Sequence, residues 1–163
     1  MAGRAVLFAL ETQDAQRLLA AGDDDELTEI VEDVEERWDD TWLTELDKSW
    51  DALHRCLTDG TLTFEGGTFP LSHAILGGLP LHEGDDYIVC YTTPEEVREI
   101  AEALAPLDEH WLRERFTTLA FPDYQGIANE EDIAYTQAFL PGLKDFYHQA
   151  AQAGRAAIFT VGQ

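Results

Sequence analysis

The sequence predicts a single α+β domain over residues 1–163, a small mixed β-sheet packed by several amphipathic helices. Three observations lead there. Short apolar, β-branched runs are scattered along the chain at residues 4–10, 87–91 and 155–161, with a further candidate at 61–64 or 69–76. The segments between them carry apolar residues at spacings of three and four, the period of a helix buried on one side. The length of 163 residues, 45% of them apolar, suffices for one core of ordinary size.

The first run, residues 4–10, is bounded by Gly3 and Glu11 and reads as a buried strand. The chain start has an Arg but no long apolar stretch and no small-residue cleavage site, so it reads as part of that strand and not as a signal peptide. Residues 14–21 make a short helix ending at Gly22, with Leu18 and Leu19 turned inward. Residues 23–40 are the most acidic stretch, yet Leu27, Ile30, Val31, Val34 and Trp38 form a stripe. An acidic amphipathic helix follows from that pattern, and a disordered tail does not.

Residues 43–58 predict the central helix. Leu43, Leu46, Trp50, Leu53 and Leu57 make one apolar stripe, Thr41 can cap the start and Gly60 can stop the end. On such a helix Asp47, Trp50, Asp51 and His54 are close neighbours, the densest group of chemically capable side chains in the sequence. After Gly60 the alternation Thr61 to Phe64 suggests a small hairpin or an irregular loop. The run from Pro70 to Leu76 ends in Gly77-Gly78, a sharp turn or a close backbone approach.

Residues 87–91 are the clearest strand. Thr93-Pro94-Glu95-Glu96 is a capping-box start for a helix over 94–104, and Pro106 separates it from a second helix over 108–116. Residues 129–153 are the longest helix, from Asn129 to Gly154, which Pro141-Gly142 should kink or break near Phe139. Residues 155–161 close the domain as a strand.

Composition narrows the function. The chain has 33 acids against 10 bases and a net charge of −23. Such a chain repels nucleic-acid backbones and anionic membrane surfaces. It attracts a basic protein partner, although charge of this kind also serves plain solubility or a salty cytoplasm. No apolar run approaches a membrane span, and the expected location is the cytoplasm. The two cysteines, Cys56 and Cys90, lack metal spacing and read as buried free thiols. The five histidines are scattered with no HxH or HExxH pattern, so neither a zinc site nor any other cofactor is expected.

Four pieces of sequence then agree. They are Leu46-Asp47-Lys48-Ser49-Trp50 with His54, Pro70-Leu71-Ser72 through Gly77-Gly78, Tyr91-Thr92-Thr93-Pro94-Glu95-Glu96-Val97, and Leu143-Lys144-Asp145-Phe146-Tyr147 with Ala150-Ala151. In this order they resemble the YfbM-like family, small bacterial proteins grouped as a domain of unknown function. The resemblance implies a compact α+β fold and no established activity.

Three functions remain open. One is a small-ligand or peptide-binding domain with a pocket among Asp47, Lys48, Trp50, Asp51, His54, Ser72, Gly77 and Gly78. There Lys48, otherwise paired with Glu45 or Asp51, and the glycine N–H groups would hold a small anionic ligand. Another is an acidic interaction module, of inhibitor or immunity type, that presents residues 23–40 to a basic partner with Trp38 or Trp42 as anchor. The third is a hydrolase with His54 as base beside Asp51. No GxSxG elbow is present and Cys56 points away from His54 on a helix, so the reading leans away from catalysis.

Overall fold

The computed structural model describes residues 5–162, so Arg4 and the chain start lie outside the described residues. Five strands form one sheet in the order β2-β1-β5-β4-β3. They are β1 (Ala5–Leu10), β2 (Leu43–Asp47), β3 (Leu79–Pro80), β4 (Tyr87–Thr92) and β5 (Ala156–Gly162). Every pairing is antiparallel, where a mixed sheet was expected. The strands that open and close the described chain, β1 and β5, pair in the middle with Leu7 opposite Phe159.

Helices cover both faces of the sheet. On one face lie α1 (Thr12–Ala20) and α2 (Asp24–Arg37), and on the other α3 (Trp50–Leu57), α4 (Pro94–Leu104), α5 (Glu109–Thr118) and α6 (Glu130–Gln152). The strand pleat distributes side chains between two cores. Leu7, Ala9, Phe159 and Val161 join the larger one, while Val6, Phe8, Leu10 and Ile158 join the core under α1 and α2. This explains why all six residues of β1 are buried and why its sequence is apolar without alternation.

Local signals set several element ends. Asp23 accepts from the Glu26 N–H at the start of α2, and Asn129 does the same for Asp132 at the start of α6. Thr93 and Glu96 form the expected reciprocal capping box on α4. Gly60, at φ 93°, donates its N–H to the Arg55 carbonyl just past α3.

The central helix over 43–58 is corrected. Leu43–Asp47 is a strand, Asp47 turns the chain at φ 49°, and the helix is only Trp50–Leu57. The apolar spacing fitted both descriptions. Leu43 and Leu46, three apart, would share one face of a helix. On the strand they point to opposite faces, Leu43 toward the α1/α2 core and Leu46 into the larger core. The exposed backbone edge of β1 supplies the deciding interaction, pairing Val6 with Glu45 and Phe8 with Leu43. Thr41 therefore caps no helix, and Ser49 precedes α3 with its Oγ donating to the Leu46 carbonyl at 2.5 Å.

Two further expectations change. Neither 61–64 nor 69–76 is a strand. The chain there runs through turns and a 3-10 turn at Leu71–His73, and the added strand is the two-residue β3, paired with Tyr91 and Cys90. The longest helix is not broken at Pro141-Gly142 and continues from Glu130 to Gln152. An interior proline costs a helix about 3 kcal/mol. Here Leu140 and Leu143, on either side of it, are both seated in the larger core and hold the two halves in one helix.

Candidate functional site

The eight residues singled out from sequence do not converge on one cavity. Asp47 and Lys48 sit exposed at the turn after β2, where Tyr135 of α6 donates its O–H to Asp47 Oδ2 at 2.5 Å and accepts the Lys48 backbone N–H. Asp51 bonds Arg55 and not Lys48, its Oδ1 lying 2.5 Å from Arg55 Nε. Trp50 is 4% exposed and packs against Phe159, ring centres 5.7 Å apart, with its indole N–H unpartnered among the described residues.

His54 is fully buried, and both ring nitrogens are engaged. Nε2 lies 2.8 Å from the Thr63 carbonyl oxygen, and Nδ1 accepts the Leu76 N–H at 3.4 Å. The neutral tautomer with hydrogen on Nε2 satisfies both contacts. It leaves no free lone pair for a base.

The segment from Ser72 to Gly78 is pinned to the core from three elements. Leu76 N–H meets His54 of α3, the Cys90 thiol of β4 donates to the Leu76 carbonyl, and Tyr147 of α6 donates to the Ala74 carbonyl at 2.5 Å. Gly77 passes so close to Ser72 that an added Cβ would lie 1.8 Å from the Ser72 carbonyl oxygen. One on Gly78 would lie 2.6 Å from that of Tyr91. The glycine pair is thus a close backbone approach. Cys56 and Cys90 are buried free thiols, each pushed up to about 12 by burial, which favours the neutral thiol over the nucleophilic thiolate.

A cavity with both an apolar floor and charged walls lies elsewhere, where the end of β1 and the residue before β5 meet α1, the C-terminal end of α2 and the turn at 39–42. It holds about 340 Å³ and is lined by none of the eight residues. Phe8, Leu10 and Val34 give it an apolar floor, and Arg37, Arg155 and Trp42 supply its cationic and aromatic walls. The Arg155 guanidinium stacks on Trp42, 3.7 Å from the ring centre. Arg37 Nη2 bonds Asp14 Oδ2 at 2.9 Å, and Asp14 is itself buried. Next to the cleft Trp38 closes α2 in the left-handed region, at φ 34°, with its indole edge-on to Phe8. That conformation is strained for a bulky side chain.

Over residues 1–160 the sequence matches a family described as a domain of unknown function, DUF1877. The chain belongs to the DUF1877 family. Protein YfbM of Escherichia coli K12 is 33% identical over 93 residues, and the match spans 55% of each chain, about half the length of that relative. The crystal structure of YfbM from Escherichia coli, described as a protein of unknown function, superimposes with a TM-score of 0.71 and 22% identity. That match covers 97% of this chain and 99% of the other. The YfbM-like resemblance and its α+β fold are thereby shown, and they carry no activity with them.

Within this DUF1877 chain, no group of three or more His, Cys, Asp or Glu side chains among the described residues is placed to hold a metal ion. No helix of the described residues is long and apolar enough to cross a membrane. Trp42 stood out from sequence only as an anchor for a basic partner, and the arginines and carboxylates of the cleft were not legible because they come from five separate elements. The available signal was scarcity: the chain has only 10 bases, and Arg37 and Arg155 both reach this cavity.

The buried His54 has a measurable consequence. Desolvation holds its imidazole below the ordinary range, outweighing the Thr63 carbonyl and the carboxylates of Asp51 and Asp59 that favour the charged form. Below about pH 6.5 the unfolded chain takes up this proton and the folded chain does not, so His54 makes stability fall as pH drops. Urea midpoints at pH 7.5 and 5.5 should differ more for the wild type than for His54→Gln, whose amide keeps a donor and an acceptor. Equal pH differences would remove His54 from this role.

Proposed function

We propose that this chain is a non-catalytic small-ligand-binding domain and that the ligand sits in the cleft between β1, α1, α2 and the start of β5. The observation that carries this reading is the cavity itself. About 340 Å³ falls in the range of small-molecule sites, and it joins an apolar floor to a few polar groups. Cations are held there in a chain that otherwise has few. In this reading Trp50, His54, Ser72, Gly77 and Gly78 serve as scaffold on the opposite side of the sheet. The outer face of α2 keeps Glu29, Glu32, Asp33 and Glu36 exposed, as a docking face for a basic partner would. Arg17 already bonds Asp33 at 2.9 Å there, and nothing else on that face marks a partner.

A fragment screen read by ¹H–¹⁵N NMR tests the reading. Hits are expected to shift the Trp42 indole signal and the backbone of Leu10 and Val34. Hits that cluster instead around Lys48 and Tyr135, or that leave the cleft signals unmoved throughout, would reject it.

A further inference from the structure

Resting on that reading, we propose that the cleft takes a small zwitterion of the α-amino-acid type with an apolar side chain. The polar groups of the cleft come with both signs. Arg37 and Arg155 line it together with Glu11, Asp14 and Asp39.

The cations have donors to spare. Arg155 holds its guanidinium carbon 3.7 Å over the Trp42 ring, and its hydrogen bond to the Ala9 carbonyl and its approach to Glu11 are long, at 3.5 Å and 4.0 Å. Arg37 uses Nη2 on Asp14 and Nε on the Asp33 carbonyl. A guanidinium presents five N–H donors in a planar fork suited to a carboxylate. Stacking fixes the Arg155 fork before any ligand arrives, so little freedom is lost on binding.

The anions decide what else the ligand carries. Asp14 is taken by Arg37 and Arg17. Asp39 has one oxygen on the Thr41 N–H, and the Glu11 side chain stands largely in solvent. A ligand with negative charge alone would meet these two carboxylates and the field of a −23 chain. An ammonium placed toward Asp39 and Glu11 answers both. The floor of Phe8, Leu10 and Val34 then receives an apolar side chain, and the cavity volume suits a molecule of amino-acid size.

The test is a titration of the full chain with L-phenylalanine, 3-phenylpropionate and phenethylamine, read on the Trp42 indole signal. The first has both charges, the second only the carboxylate and the third only the ammonium. L-Phenylalanine is expected to bind, and each one-charge analogue to bind about tenfold or more weakly. Arg155→Met and Arg37→Gln should each weaken L-phenylalanine and leave phenethylamine no weaker, since each removes a cation that repels an ammonium and Arg37→Gln also frees Asp14. Two variants from different elements guard against a fold defect in either. Equal binding of L-phenylalanine and 3-phenylpropionate would overturn the zwitterion while the cleft stands. Silence from all three would also overturn it if fragments still light the cleft, and would sink both readings if they do not.

Discussion

Arg55→Ala is expected to destabilise the fold by about 3–5 kcal/mol, the cost of removing one partner from a buried ion pair. For a chain of this size that lowers the melting temperature by roughly 10 °C. Arg55 is 2% exposed, a cation buried on the same helix as its carboxylate partner Asp51. Its Nε bonds Asp51, and its Nη1 bonds the carbonyls of Gly60 and Pro122 at 3.1 Å and 2.7 Å. Its guanidinium also lies within 6 Å of the rings of Phe121 and Tyr124. One side chain therefore ties α3 to the loop between α5 and α6, and alanine would strand a carboxylate and two carbonyls together. Urea unfolding followed by circular dichroism measures the loss. Arg55→Lys should recover only part of it, because an ammonium cannot span the same acceptors. A loss under about 1 kcal/mol would show that water replaces the guanidinium and that the loop is held by its aromatic rings.

Gly77→Ala should have an effect of similar size, about 3 kcal/mol or more, at the upper end of what overpacking produces. The added methyl would sit 1.8 Å from the Ser72 carbonyl oxygen and 2.6 Å from its carbon, both backbone atoms. A flexible side chain could swing aside, but this backbone is held by Tyr147, His54 and Cys90 through the segment between the two residues. Gly162→Ala is the control, because a Cβ there meets nothing within 4 Å. Matching midpoints for Gly77→Ala and wild type would mean that the 72–77 turn relaxes freely.

Much of the fold was legible because local chemistry and global packing agree. Thr93, Pro94 and Glu96 announce α4 within four residues, and its bounds match the expectation residue for residue. Of the expected stripe Leu27, Ile30, Val31 and Val34 are buried, so the acidic stretch is a helix with its carboxylates turned to water, but it stops at Arg37 and leaves Trp38 39% exposed beyond its end. The Gly77-Gly78 pair was legible as a close approach. The identity of the atoms it approaches was not, because Ser72 and Tyr91 are brought there by the turn and by β4.

The cleft was the least legible part. Arg37 and Arg155 are 118 positions apart in the numbering and meet only because β1 and β5 pair in the centre of the sheet. Sequence spacing carries no information about that meeting.

What the sequence determined by itself was the α+β class, the edges of α4 and, to within a residue, of α6, the two buried thiols and membership of a family without a known activity. What only the tertiary structure decided was the fate of residues 43–47. Apolar positions three and four apart satisfy a helix, and a three-residue step also satisfies a strand buried on both faces. A short segment has too few backbone hydrogen bonds of its own to choose. The unpaired edge of β1 offered partners to every other residue of 43–47, and that non-local pairing made the strand and took Asp47 off the helix that keeps Trp50, Asp51 and His54.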